Sequence, residues 1–206
     1  NFPLKFISTE MPIGINYKSR VSAQLKSAVM LAGLNSFATT EIIEIEKSRD
    51  HTENMLVKNS QAIKIVKGKK KIIKIFGKKH LDSININVPG DPSSAAFFTA
   101  LTLLNKNSIL KIKNVGLNST RIGFYELLKK CGAKIKFKNL KKNNEEIYGD
   151  IYVESSKIKP IKASKEYYVK ATDEYPILFV IAALTKGISI FRGINDLANK
   201  ESNRIK

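Results

Sequence analysis

An internal repeat constrains the fold of this chain more than any other feature. Three segments share the order helix, strand, loop, arginine, helix. The first opens with a helical pattern from Ser22 to Leu34, apolar at Leu25, Ala28, Val29 and Ala32, with Gly33 and Asn35 as its stop. A strand from Thr40 to Ile45 follows, then Ser48-Arg49 and a helix from His51 to about Lys58. Asp50 is its expected N-cap, and Glu53 would complete a capping box. The second segment opens at Asp91, an N-cap followed by Pro92, and its helix runs to about Leu104. A strand from Ser108 to Lys113, a loop ending in Arg121 and a helix to Cys131 complete it, with Gly132 as the stop. The third has a helix from Asp173 to Lys186, a strand from Ile188 to Arg192, and Lys200-Glu201-Ser202-Asn203-Arg204 opening a further helix. Between them lie β-rich stretches, Ile72 to Phe76, Lys134 to Lys138 and Asp150 to Glu154. The expected architecture is an α/β unit used three times, its helices covering one face of each sheet.

The arginines sharpen the pattern. The chain has five, at positions 20, 49, 121, 192 and 204, against thirty-one lysines. Arg49, Arg121 and Arg204 occupy corresponding places in the repeats. A chain so rich in lysine keeps arginine where a planar fork is needed, for a bidentate carboxylate or phosphate contact. The competing reading is a structural ion pair, which weighs most for Arg121. Arg20 and Arg192 lack a helix-start context. Ser48-Arg49-Asp50-His51-Thr52-Glu53 and Pro89-Gly90-Asp91-Pro92-Ser93-Ser94 both open helices, where free backbone N–H groups can meet an anion.

Composition removes several classes. The net charge is +18, but the lysines are scattered. Only Lys67 to Lys71 and Lys138 to Lys142 form dense runs, each read as a loop or hairpin, and aromatics do not alternate with them as a base-stacking platform requires. No nucleic-acid partner is expected. No apolar run is long enough to span a membrane, and no signal peptide is visible, so no membrane partner is expected. The single cysteine, Cys131, fits a reducing compartment and reads as a small core residue. A cytoplasmic protein is the expectation. No metal-ligand spacing is present, and neither a metal nor a cofactor is expected.

Six motifs in order resemble the enolpyruvyl transferase family, and within it the 3-phosphoshikimate 1-carboxyvinyltransferases (EPSP synthases). They are Ser22-Ala23-Gln24-Leu25-Lys26-Ser27-Ala28, Ser48 to Glu53, Val88 to Ala95, Asn114 to Arg121, Asp173-Glu174-Tyr175-Pro176 and Lys200-Glu201-Ser202. The resemblance implies two similar domains of repeated βαβαββ units, an inside-out α/β barrel, with the active site in the cleft between them. Residues 1–85 would belong to the first domain and 86–206 to the second. The chain would be the central part of such an enzyme. A catalytic lysine and arginine and a glycine-containing loop are expected before Asn1, and further basic residues after Lys206.

Site residues follow from the resemblance one at a time. Ser22 matches a serine on the phosphate of shikimate 3-phosphate. Ala23 stands where many members have a second serine and would offer its N–H, and Gln24 matches a glutamine that contacts the substrates. Arg49 matches a phosphate-binding arginine, while His51 reads as structural. Asp173 matches the aspartate beside the reacting hydroxyl. Lys200 matches a lysine on the substrate hydroxyls, Glu201 the glutamate at the methylene carbon of phosphoenolpyruvate, and Arg204 an arginine on its carboxylate. The implied catalytic pair is Asp173 and Glu201. The family usually has aspartate at Asn203 and Arg-Val at Ala198-Asn199. The implied partners are two small-molecule substrates, with a monomer expected at full length. Competing readings are the sister enzyme acting on UDP-N-acetylglucosamine, a catalytically silent truncated form and a basic RNA-binding module.

Overall fold

Several strands in this chain alternate apolar side chains with lysine, and that period of two decides which of their faces is dry. The computed structural model describes residues 3–5, 7–20, 22–200 and 202–205, which fall into two units, Asn1–Asn85 and Ile86–Lys206.

The first unit has a four-stranded sheet. Its elements in chain order are β1 (Asn16–Ser19), α1 (Ala23–Leu34), β2 (Thr39–Glu44), α2 (His51–Leu56), β3 (Ile63–Val66) and β4 (Lys71–Phe76). The strand order is β1-β2-β4-β3. β1 runs parallel to β2, so the intervening helix α1 is a crossover, while β2, β4 and β3 pair antiparallel. Met30 of α1 and Leu56 of α2 pack with Ile42, Ile63, Ile73 and Ile75 of the strands.

Three expectations for this unit need correction. The buried stripe of α1 is Lys26, Met30 and Gly33, whereas Leu25 is 58% exposed and Ala28 and Ala32 face outward. Nearly every residue of α1 is small or apolar, so periodicity alone cannot choose its face. Gly33 is not the stop: it lies inside the helix, where a Cβ would come within 3.0 Å of the Thr40 Cβ, and the cap is Asn35 in ordinary helical conformation. The capping box at α2 is also absent. The Asp50 side chain makes no cap bond, and Glu53 turns inward to Lys26 and Lys71.

The second unit contains α3 (Pro92–Leu104), β5 (Ile109–Gly116), α4 (Gly123–Lys130), β6 (Lys134–Asn143), β7 (Glu146–Glu154), β8 (Lys162–Ala163), α5 (Lys165–Ala171), α6 (Tyr175–Ala183) and β9 (Ile190–Phe191). Its main sheet, β5-β7-β6, is antiparallel, and β8 pairs with β9 in parallel. The core joins α3, α4, α5 and α6 to one sheet face through Ala96, Leu103, Phe124, Tyr125, Leu128, Ile151, Val153, Tyr168, Tyr175 and Leu178. Cys131 is part of it. Gly132 adopts φ +96°, a conformation that favours glycine, and ends α4 as expected.

The third repeat departs from its expectation. A short 3-10 turn, Thr172–Glu174, precedes α6, so Asp173 lies in that turn instead of capping the helix. Pro176 sits in the first turn of α6, where the N–H it lacks would have no acceptor within the helix. A second 3-10 turn, Asn195–Asn199, ends at Lys200, and among the described residues no helix opens after it.

Candidate functional site

The first unit presents the start of α1 and the loop before α2. Ser22 is the N-cap of α1, its side chain accepting the Leu25 N–H at 3.3 Å. Ala23 and Gln24 occupy the first turn, where N–H groups lack acceptors within the helix, and the Gln24 side chain is exposed. Arg49 is half-buried in the loop, and His51 is exposed at the first position of α2.

Beneath these elements lies a buried charge network that sequence reasoning missed. The Lys26 ammonium is fully buried and reaches Glu44 Oε1 and Glu53 Oε1, each at 2.7 Å. Lys71 adds contacts of 3.0 Å to Glu53 and 3.4 Å to Glu44. Glu44 Oε1 also accepts the N–H and the hydroxyl of Ser48, each at 3.1 Å. Burial alone would raise the Glu44 pKa, but the Lys26 hydrogen bond and the two cations outweigh it and hold the carboxyl below its ordinary value. The only clue in the sequence is a lysine in an otherwise small and apolar helix.

The second unit gathers charge around Asp173. Arg121 Nη1 lies 3.9 Å from Asp173 Oδ2, and Arg204 Nη1 lies 3.8 Å from Asp173 Oδ1. Arg121 Nη2 also donates to Asp91 Oδ1 at 3.0 Å and to Ser93 Oγ at 2.7 Å. Ser93 in turn donates to buried Glu174, the neighbour of Asp173. Arg121 therefore joins the start of α3 to the turn that carries Asp173.

Asp91 does not leave the α3 terminus open to an outside anion. Its own carboxylate takes the N–H groups of Ser93 at 3.2 Å and Ser94 at 2.9 Å. Burial raises its pKa, but the N–H and hydroxyl of Ser94, then the Ser93 N–H and Arg121, outweigh that, and the carboxyl titrates below its usual range.

Lys200 and Arg204 follow the second 3-10 turn. Lys200 Nζ pairs with Asp196 Oδ2 at 3.1 Å, and the same oxygen accepts the Tyr168 hydroxyl at 2.7 Å. Asp196 is held below its ordinary pKa by the Tyr168 hydrogen bond first and Lys200 second. Burial pushes the Tyr168 phenol up, and the Asp196 carboxylate pushes it further. Asp196 and Tyr168 were invisible as site neighbours in the sequence, because 28 residues separate them. Asn203 Oδ1 accepts the Ile205 N–H at 3.0 Å, a turn bond that an amide oxygen makes as well as a carboxylate. Glu201 lies outside the described residues. The structure thus brings Asp173, Arg121 and Arg204 together, with Lys200 on the adjoining turn; Ser22, Ala23, Gln24 and Arg49 lie in the first unit.

Among the described residues, no group of three or more His, Cys, Asp or Glu side chains could hold a metal ion, and no helix is long and apolar enough to cross a membrane.

Comparison with known proteins identifies the family. The profile of EPSP synthase (3-phosphoshikimate 1-carboxyvinyltransferase) matches residues 5–206. The 3-phosphoshikimate 1-carboxyvinyltransferase of Bartonella tribocorum is 39% identical over 100% of this chain, which covers 47% of that protein. That of Persephonella marina is 42% identical over 92% of this chain and 44% of its own length. A solved EPSP synthase of Acinetobacter baumannii superposes with a TM-score of 0.80 at 36% identity, covering 95% of this chain and 44% of that one. The chain spans about half the length of the relatives it matches. Matched in sequence and in fold along nearly all of its residues, the chain belongs to the EPSP synthase family.

Proposed function

We propose that the protein transfers the enolpyruvyl group of phosphoenolpyruvate to the 5-hydroxyl of shikimate 3-phosphate, with release of phosphate. The observation that supports this reading is Asp173 lying within 4 Å of the guanidiniums of Arg121 and Arg204 in a chain that belongs to this family. Residues 1–85 then belong to the first enolpyruvyl transferase domain and 86–206 to the second.

The residue types suit the chemistry. The reacting hydroxyl loses a proton as it adds to the central carbon of phosphoenolpyruvate, and the methylene carbon gains one. Two carboxyl groups meet those needs, Asp173 on the hydroxyl side and Glu201 on the carbon side. The tetrahedral adduct then loses phosphate as a base takes the methyl proton back. Arg204 binds the carboxylate of phosphoenolpyruvate by its planar fork, and Lys200 the hydroxyls of the second substrate. Ser22, the N–H of Ala23, Gln24 and Arg49 bind shikimate 3-phosphate, the first two through a helix start that suits an anion. The reaction requires no metal or cofactor. The protein acts in the cytoplasm as a monomer at full length, on small molecules and not on nucleic acid.

Phosphate release by the full-length gene product, with both substrates present, tests this reading. Release that needs both substrates is expected. Turnover with UDP-N-acetylglucosamine in place of shikimate 3-phosphate would favour the sister activity instead.

A further inference from the structure

Lys26 has no part in the chemistry above, yet it is the most completely enclosed charge in the first unit. Its side chain has 0% exposure and its ammonium touches two carboxylates that are themselves 3% and 1% exposed. The cost of burying such a group is large, so a partner arrangement this tight has to be held by everything around it. Four elements supply it. Lys26 comes from α1, Glu44 from the end of β2, Glu53 from α2 and Lys71 from the start of β4. Two cations and two carboxylates meet at its centre.

The network connects to the proposed substrate-binding residues by hydrogen bonds and short stretches of chain. Lys26 lies one turn beyond Ser22, and its backbone N–H donates to the Ser22 carbonyl at 3.2 Å. Glu44 Oε1, which Lys26 holds, also takes both donors of Ser48, the residue before Arg49. One ammonium therefore ties the turn that carries Ser22, Ala23 and Gln24 to the loop that carries Arg49. An apolar side chain at position 26 would fill the same space without fixing that spacing, because Glu44 and Glu53 would lose the one ammonium that holds each of them at 2.7 Å.

We propose that Lys26 is a positioning residue, which sets the distance between the α1 start and the Arg49 loop through Glu44 and Glu53 and so tunes affinity for a phosphate-bearing substrate. This rests on the assignment of Arg49 and the α1 start to shikimate 3-phosphate.

The test uses the full-length gene product and two variants. Lys26→Met leaves two buried carboxylates to share the Lys71 ammonium. The double variant Lys26→Met/Glu53→Gln restores a balanced pair, Glu44 with Lys71, and so recovers thermal stability without restoring the strut. Both are expected to raise KM for shikimate 3-phosphate about tenfold, with kcat and KM for phosphoenolpyruvate within about threefold of the parent, so that affinity stays lost where the melting temperature has returned. Should Lys26→Met not fold, the double variant carries the measurement alone. A purely structural lysine would give parental KM in the double variant once its melting temperature recovers, and that result overturns the inference. Arg49→Lys is measured alongside. If it raises KM while neither Lys26 variant does, the inference fails by itself; if it too leaves KM unchanged, the phosphate assignment has failed.

Discussion

At the scale of single residues, guanidinium and carboxylate geometry carries the chemistry. Arg49 is the first case. Lysine keeps the charge but loses the fork, so Arg49→Lys should weaken shikimate 3-phosphate binding by roughly 1.5–3 kcal/mol, read by calorimetric titration of the full-length product. Equal affinity in the two proteins would remove Arg49 from the site. Glu201 is the second case. If it moves the proton at the methylene carbon, Glu201→Gln should cut turnover by about two to four orders of magnitude, while affinity for shikimate 3-phosphate changes little. Exchange of the methylene hydrogens with solvent deuterium should slow in step; near-normal turnover and exchange would refute the role. Arg121 shows how far residue-level reading reaches. The repeat singled it out, and its ion pair with Asp91 is the structural contact weighed against a ligand role. Its approach to Asp173, from 52 positions away in the sequence, is a tertiary fact that no spacing encodes.

Elements were legible in the sequence to the extent that their determinants are local. α3 is the clearest. Asp91 and Pro92 announce its start, and the observed helix, Pro92–Leu104, ends at the expected residue. Asp91→Ala should remove about 1 kcal/mol of stability, because two N–H groups lose their acceptor. The Asp91 carboxyl titrates below its unfolded value, so its contribution is present above the unfolded pKa of about 3.9 and fades as pH falls through the folded one. Denaturation of the parent and the variant should therefore differ at pH 7 and converge below about pH 4. A gap unchanged in acid would show that the carboxylate is not the cause. Where determinants are not local, reading failed. The face of α1 is chosen by Glu44 and Glu53, which are distant in sequence and draw Lys26 inward. The same pull removes Glu53 from the cap of α2. The start of α6 slipped past Asp173 because a 3-10 turn was inserted before it, and hydrophobic periodicity has no mark for such a turn.

Across the whole molecule, both units carry helices with large apolar side chains on outward faces. Leu25 and Leu31 on α1, Phe97, Phe98 and Leu101 on α3, and Val180 on α6 are all at least half exposed. Faces of that kind favour association when nothing covers them. The chain also spans about half of its relatives, and the family resemblance assigns a catalytic lysine and arginine to the remainder. The 206-residue chain expressed alone is therefore predicted to self-associate and to release no measurable phosphate, since each absent cation would cost several powers of ten in rate. Side-by-side assay with the full-length product checks this, and comparable activity in both would overturn it. The pleat also decides where the lysines can go. In β3 and β6, Ile63, Ile135 and Phe137 turn toward the core while Lys64, Lys134, Lys136 and Lys138 turn to water, and in β5 Leu110 and Ile112 turn inward while Lys111 and Lys113 turn out. With every second side chain on the wet face, such strands carry lysine without bringing charge into the interior. Lys26, enclosed by two carboxylates, is an ammonium for which that separation does not hold.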